Sequence, residues 1–276
     1  MSTGHPLFTA LVDDAALFPP GCASMPDALA AHPHHRSAHY ADIVGRFLCP
    51  ASRLPELIAT LPAETSIELS LIADTGPTGL DEALALGLAD DRIDIEAVEV
   101  APVQELDLME AVERALEPLP PILAFVEVPR SPGWTGGLDA IAAAGRGAKL
   151  RTGGASAAAF PSEAELAAFI LACVTRDVPF KCTAGLHNAL RHRDSASSFE
   201  QHGFLNIALA THAAVLGEGT EAVEALLAER DGSRLVATFG QVTDHDARRT
   251  RANFVGFGSC SILEPVADLT RLGLLG

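Results

Sequence analysis

Short runs of apolar and β-branched residues alternate along the chain with longer amphipathic stretches. The runs are FTALVDDA, DIVGRFLCP, SIELSLIAD, RIDIEAVEV, PILAFVEVP, GAKLRTGG, PFKCTAG and NFVGFGSCS. Bounded by Gly, Pro, Asp and Ser, runs of this length predict strands. Between them lie RLPELIATL, LDEALALGLA, LMEAVERALEPL, GGLDAIAAAG and PSEAELAAFILACVTR. Their apolar residues recur at i, i+3, i+4 and i+7, the spacing of one helix face. The last of these also begins as a helix should. Pro161 suits the first turn, Ser162 can cap it, and Glu163 and Glu165 favour the positive end of the dipole.

Eight strands alternating with helices predict an α/β protein with a parallel sheet, and eight is the number that closes a TIM barrel. No GxGxxG follows the first strand, so closure is preferred to an open doubly wound sheet. The expectation is a (β/α)8 TIM barrel, a single domain over residues 1–276. An enlarged helical insertion, residues 186–253, would lie between strands seven and eight. It is expected to hold helices near 199–216 and 220–230, with SRLVATFG (233–240) either another strand or part of the insertion. The polar, His-rich piece AAHPHHRSAHYAD reads as a flexible loop.

Composition narrows the classes. A chain of 276 residues, 48% apolar and 20% charged, can bury a large core. A net charge of −17 opposes a nucleic-acid partner, because no basic patch is present to neutralise phosphates. A small anionic substrate needs only a local positive site. Five scattered cysteines without a CxxC pair read as reduced thiols of a cytoplasmic protein. The N-terminus lacks the basic start of a signal peptide, and no apolar run of about 18 residues is evident, so no membrane span is expected.

The chain has 17 arginines and only two lysines, Lys149 in GAKLRTGG and Lys181 in PFKCTAG. They are 32 residues apart, one βα repeat, and fall in strands six and seven. Alternation directs Lys149 and Arg151 inward with Leu150 outward, and Lys181 and Thr183 inward with Phe180 and Cys182 outward. Active sites of such barrels form where the strands end. A neutral amine attacks a carbonyl, and a second cation together with burial disfavours the charged amine. The pair therefore suits Schiff-base chemistry. The alternative is a structural ion pair with inward acids.

AKLRTGG followed by PFKCTAGL resembles the strand-six and strand-seven motifs of the deoxyribose-phosphate aldolase family, which read like K-T-S-T-G and K-P-A-G-G. Those enzymes are class I aldolases on a TIM barrel. RIDIEA is similar to the family's fourth strand, with Asp94 at its acidic position. ILAFVEVP resembles the fifth, with Glu127 acidic, and FVGFGSCSIL the last. The resemblance is colinear over about 45–275. It implies that Lys149 is the nucleophile, that Lys181 depresses its pKa and that Asp94 takes part in proton transfer. It also implies anion contacts from Gly153, Gly154, Ala184, Gly185, Gly258 and Ser259. Thr152, Thr183 and Glu127 would line the substrate. Arg151 stands where the family has a small hydroxyl residue. It suits bidentate binding of a carboxylate or phosphate, or an ion pair within the barrel.

Other groups leave alternatives open. By alternation Asp94 and Glu96 share a face and Glu99 lies on the opposite one. Asp13 and Asp14 end strand one, at the mouth or in a turn. His187 suits substrate contact or acid–base work, or a polar helix start; His212 reads as structural. His32, His34, His35 and His39 suggest a metal, or a solvated loop. The expected function is a class I, Schiff-base lyase acting on a small carbonyl or anionic substrate. Phosphorylated and carboxylated substrates both fit. It requires no cofactor and no metal, and has no nucleic-acid or membrane partner; barrels of this type are often homodimers. The rival readings are a metal-dependent hydrolase or lyase using the His-rich segment, and an inactive anion-binding barrel.

Overall fold

Eight parallel strands close into a barrel in the computed structural model, which describes residues 4–102, 106, 108–117, 119–195 and 197–275. Residues 1–3 of the N-terminal stretch and Pro118 of LMEAVERALEPL lie outside the described residues. The strands are β1 Val12–Asp14, β2 Val44–Pro50, β3 Ile67–Ile72, β4 Ile93–Val100, β5 Leu123–Glu127, β6 Gly147–Arg151 and β7 Phe180–Thr183. After a small antiparallel hairpin, β8 His192–Arg193 and β9 Glu200–Gln201, β10 Phe254–Ser259 completes the ring. β10 pairs with both β7 and β1, so closure joins the last strand to the first.

The helices are α1 Met25–Ser37, α2 Leu54–Thr60, α3 Gly76–Leu88, α4 Leu108–Leu116, α5 Trp134–Ala143 and α6 Glu163–Thr175. The insertion supplies α7 Phe204–Val215, α8 Thr220–Ala228, α9 Gly232–Phe239 and α10 Asp244–Asn253, and α11 Leu263–Arg271 follows β10. The (β/α)8 barrel expected from the pattern is the fold observed. Its outer strand faces pack on helices as alternation requires. Phe180 of β7 meets Phe169 of α6 edge to face, ring centroids 5.5 Å apart, while Leu150 of β6 is buried nearby. Burying such a side chain contributes roughly 1.5–3 kcal/mol. The α6 start carries the expected Ser162 cap, completed by Glu165 into a capping box: Glu165 N–H donates to Ser162 Oγ, and Ser162 N–H donates to Glu165 Oε2.

Three local readings are corrected. The His-rich piece is mostly helix α1, which continues through Pro33. Met25, Ala28 and Leu29 bury its inner face, and His32 Nδ1 lies 2.9 Å from Asp14 Oδ2, tying it to β1. SRLVATFG is helix α9, so the insertion holds four helices where two were expected. Every residue from Phe204 to Ala214 of α7 is buried, and a helix buried on all sides requires that second layer. Third, one helical stretch, Ala157–Thr175, is by length and mean hydropathy (1.5) apolar enough to cross a bilayer. In the fold it includes α6, whose Leu166, Phe169, Ile170 and Cys173 are buried.

Candidate active site

The register of β6 and β7 sets Lys149 directly beside Lys181 and Arg151 beside Thr183. Both lysines point into the barrel, 5% and 2% exposed. Charges of that burial need partners, and β1, β4 and β5 provide them. Lys181 Nζ donates to Asp13 Oδ2 at 2.6 Å and to Glu99 Oε1 at 2.5 Å. Glu99 Oε2 lies 3.3 Å from Lys149 Nζ, so one carboxylate bridges the two ammonium groups. Ser70 Oγ donates to Glu99 Oε1 at 3.2 Å. The Phe125 ring lies 5.5 Å from Lys181 Nζ.

Toward the mouth the alternation of charge continues. Glu127 Oε2 lies 3.3 Å from Lys149 Nζ, and Glu127 Oε1 accepts from Arg151 Nε at 3.3 Å. The result is a line running Asp13, Lys181, Glu99, Lys149, Glu127, Arg151. It starts among buried groups and ends at a half-exposed guanidinium. Glu127 Oε2 is buried yet accepts no hydrogen bond. The Lys149 ammonium is within ion-pair distance but off the bonding direction.

The electrostatics follow from this order. Burial pushes the Glu99 carboxyl up, but the ammonium groups of Lys181 and Lys149 outweigh it and hold it down at about 2. Burial pulls Lys181 down, but the Asp13 and Glu99 carboxylates outweigh it and hold it above the ordinary lysine value. Lys181 is thus not a bare cation beside Lys149: the Asp13 and Glu99 carboxylates pair with it.

Asp94 is not brought to the site. It is the second residue of β4, exposed, and paired in register with Glu68 at the far end of the barrel from the mouth. Glu99 occupies the position expected of Asp94. Strict alternation placed Glu99 on the wrong face because β4 carries a bulge. Leu69 pairs with Ile95 but Ser70 pairs with Ala97, and the extra residue reverses the phase. Glu96, at the bulge, pairs instead with Arg46 of β2, Oε2 to Nε 2.7 Å. Asp13 was the other partner the sequence left undecided between mouth and turn.

The expected anion-binding residues divide by environment. The Thr152 hydroxyl is fully buried, 2.7 Å from the Ala184 carbonyl oxygen and 3.2 Å from that of Thr183, so it locks the two loops together. Gly153 and Gly185 serve the same junction. A Cβ on Gly153 would lie 2.7 Å from Gly185 Cα, and Gly185 has φ +73°. Gly154 is exposed beside this junction. Gly258 packs on Leu48 within the barrel, and Ser259 Oγ donates to the Ser261 carbonyl at 2.7 Å.

The histidines fall into separate settings. His187 Nδ1 lies 2.9 Å from Glu264 Oε2, 3.4 Å from Ser259 Oγ and 4.0 Å from Cys260 Sγ, forming a cluster with α11 beside the mouth. His202 precedes α7 rather than lying on it. Its Nε2–H donates to the Pro161 carbonyl at 2.8 Å, which leaves Nδ1 to accept from Arg191 Nη1 at 3.1 Å. Burial pulls His202 down to about 4. His212 Nδ1 lies 3.2 Å from Thr250 Oγ1. Among the described residues no group of three or more His, Cys, Asp or Glu side chains is arranged to hold a metal ion.

Barrels of this architecture commonly carry enzymes, with the active site at the end where the strands terminate, and the charged line opens at that end. No protein-family model and no curated protein matches the chain.

Proposed function

We propose that the protein is a Schiff-base lyase of the class I aldolase type, with Lys149 as nucleophile and Glu127 as its proton carrier. One observation carries this reading. The buried Glu127 Oε2 stands 3.3 Å from Lys149 Nζ with no hydrogen bond of its own, on the mouth side of the lysine pair. A nucleophilic amine has to lose a proton before it attacks, and a carboxylate at this distance can accept it.

The chemistry then balances. Lys149 passes one proton to Glu127, and the neutral Nζ bonds to the substrate carbonyl carbon as the π pair moves to oxygen. A second nitrogen proton moves to that oxygen. Glu127 returns its proton, water leaves, and an iminium remains. For an aldol substrate, Glu127 takes the proton of the β-hydroxyl. The C–C bond breaks with its electron pair entering the iminium, an aldehyde departs, and the enamine regains a proton before hydrolysis. Lys181, held by Asp13 and Glu99, is a positioning residue that fixes Glu99 against Lys149. The motif order shared with the deoxyribose-phosphate aldolase family supports the same class. The free cysteines suit a reducing cytoplasm.

Borohydride reduction with a panel of small aldehydes and ketones tests the mechanism. Mass spectrometry is expected to find the reduced adduct on Lys149 in the wild type and none in Lys149→Met. No adduct across a broad panel would sink it. A second reading, an anion-binding barrel without turnover, is favoured by the two carboxylates flanking the Lys149 ammonium. Ligand-induced thermal stabilisation without trapping would select that reading.

A further inference from the structure

Resting on the Schiff-base reading, we infer that the substrate carbonyl belongs to a short 2-oxo acid, whose carboxylate is gripped by Arg151. Lys149 and Arg151 are two residues apart on one strand face, about 6.6 Å between Cα atoms. Both side chains are tethered to the same carboxylate: Glu127 Oε2 is 3.3 Å from Lys149 Nζ and Oε1 is 3.3 Å from Arg151 Nε. Since the two oxygens of a carboxylate are about 2.2 Å apart, Nζ and Nε lie within about 9 Å of each other. That span suits an anion one or two bonds from the attacked carbon. It suits poorly a phosphate at the far end of a five-carbon chain, about 7 Å from that carbon when extended.

The guanidinium is prepared for such a group. Its Nε is engaged by Glu127, while among the described residues neither Nη group forms a hydrogen bond. The side chain is 53% exposed at the mouth. The free edge presents two parallel N–H donors, the geometry that matches a planar carboxylate. Thr183 is the registered neighbour of Arg151 on β7, which leaves one side of this edge free of acidic groups from that strand.

Charge bookkeeping favours the same ligand. When Glu127 takes the Lys149 proton it becomes neutral. Its hold on Arg151 weakens just as an incoming carboxylate needs a counter-ion. The 2-oxo acid therefore replaces Glu127 as the partner of Arg151, and the guanidinium keeps a counter-ion. A neutral aldehyde leaves Arg151 without that replacement. The fold places the positive anchor two residues beyond the nucleophile, and the carboxylate is drawn to the side where it directs the carbonyl carbon at Nζ.

The experiment compares cyanoborohydride labelling of Lys149 by pyruvate and by acetone, which share a skeleton and differ in the carboxylate. Wild type, Arg151→Ala and Arg151→Lys are measured in parallel, with circular dichroism to verify folding. A carboxylate activates the adjacent ketone by itself, so the deciding quantity is the change in the pyruvate-to-acetone ratio between proteins. The ratio is expected to fall at least tenfold in Arg151→Ala and to recover only in part in Arg151→Lys, where the fork is lost. Labelling by both ligands with a ratio unchanged in Arg151→Ala overturns the 2-oxo acid assignment and leaves the Schiff-base reading standing. Labelling by neither, nor by a sugar phosphate or acetaldehyde, overturns both.

Discussion

Lys149 and Lys181 face each other across adjacent strands of the barrel, and the two oxygens of Glu99 join them. The pair is one electrostatic unit. Removing any member changes what the others require.

Glu99→Gln keeps the shape of the side chain but leaves Lys181 with only Asp13 and Lys149 with only Glu127. Breaking a fully buried ion pair by removing one partner costs about 3–5 kcal/mol. Urea unfolding at neutral pH is expected to show a loss of this order. A loss below about 1 kcal/mol would mean that water enters and solvates the cluster.

Lys181→Met leaves two buried carboxylates, Asp13 and Glu99, without the cation between them. The protonated form of Glu99, which burial favours, then gains in the fold, so that part of the variant's stability is present at low pH and lost as pH rises. The deficit relative to wild type is expected to be larger at pH 7 than at pH 5. An equal deficit at both would exclude this electrostatic account.

Wild-type stability is expected to fall on acidification in two windows. His202 is depressed from 6.5 to about 4, so the stability it contributes is present above about 6.5 and lost as pH falls through about 4. Glu99 is depressed from 4.5 to about 2, so its share is present above about 4.5 and lost toward about 2. Replacing His202 by Gln should flatten the pH dependence of the urea midpoint between 6.5 and 4 while leaving the lower window in place. A slope unchanged by the replacement would assign the upper window to another group.

Glu127→Gln tests the proton carrier. The amide fills the same space but cannot accept the Lys149 proton. General acid–base groups contribute typically 10²–10⁴-fold, and imine formation at Lys149 is expected to slow by an amount in that range. Single-turnover trapping measures it directly. A change smaller than threefold would remove Glu127 from the mechanism.

The barrel was legible because its determinants are local. Periods of 2 and 3.6 are set by backbone geometry, and the outward Leu150 and Phe180 and the inward Lys149 and Lys181 fell where those periods place them. The Ser162 cap was readable for the same reason. The insertion was less so. SRLVATFG has strand-like composition, yet it forms α9, because the buried α7 needs a helix over it. Helix α1 was hidden by Pro33 and its histidines, since the His32–Asp14 contact that anchors it joins residues distant in sequence.

The candidate site divides along the same line. The sequence alone determined that two lysines and an arginine would share the inner face of adjacent strands, since alternation and a one-repeat spacing suffice for that. Only the tertiary structure decided which acids meet them. A single extra residue in β4 turned Glu99 inward, while Asp94, upstream of it, lies exposed at the opposite end. Barrel closure brought Asp13, 168 positions away, to Lys181. A bulge and a ring closure depend on how whole strands register with their neighbours, and no local pattern records that.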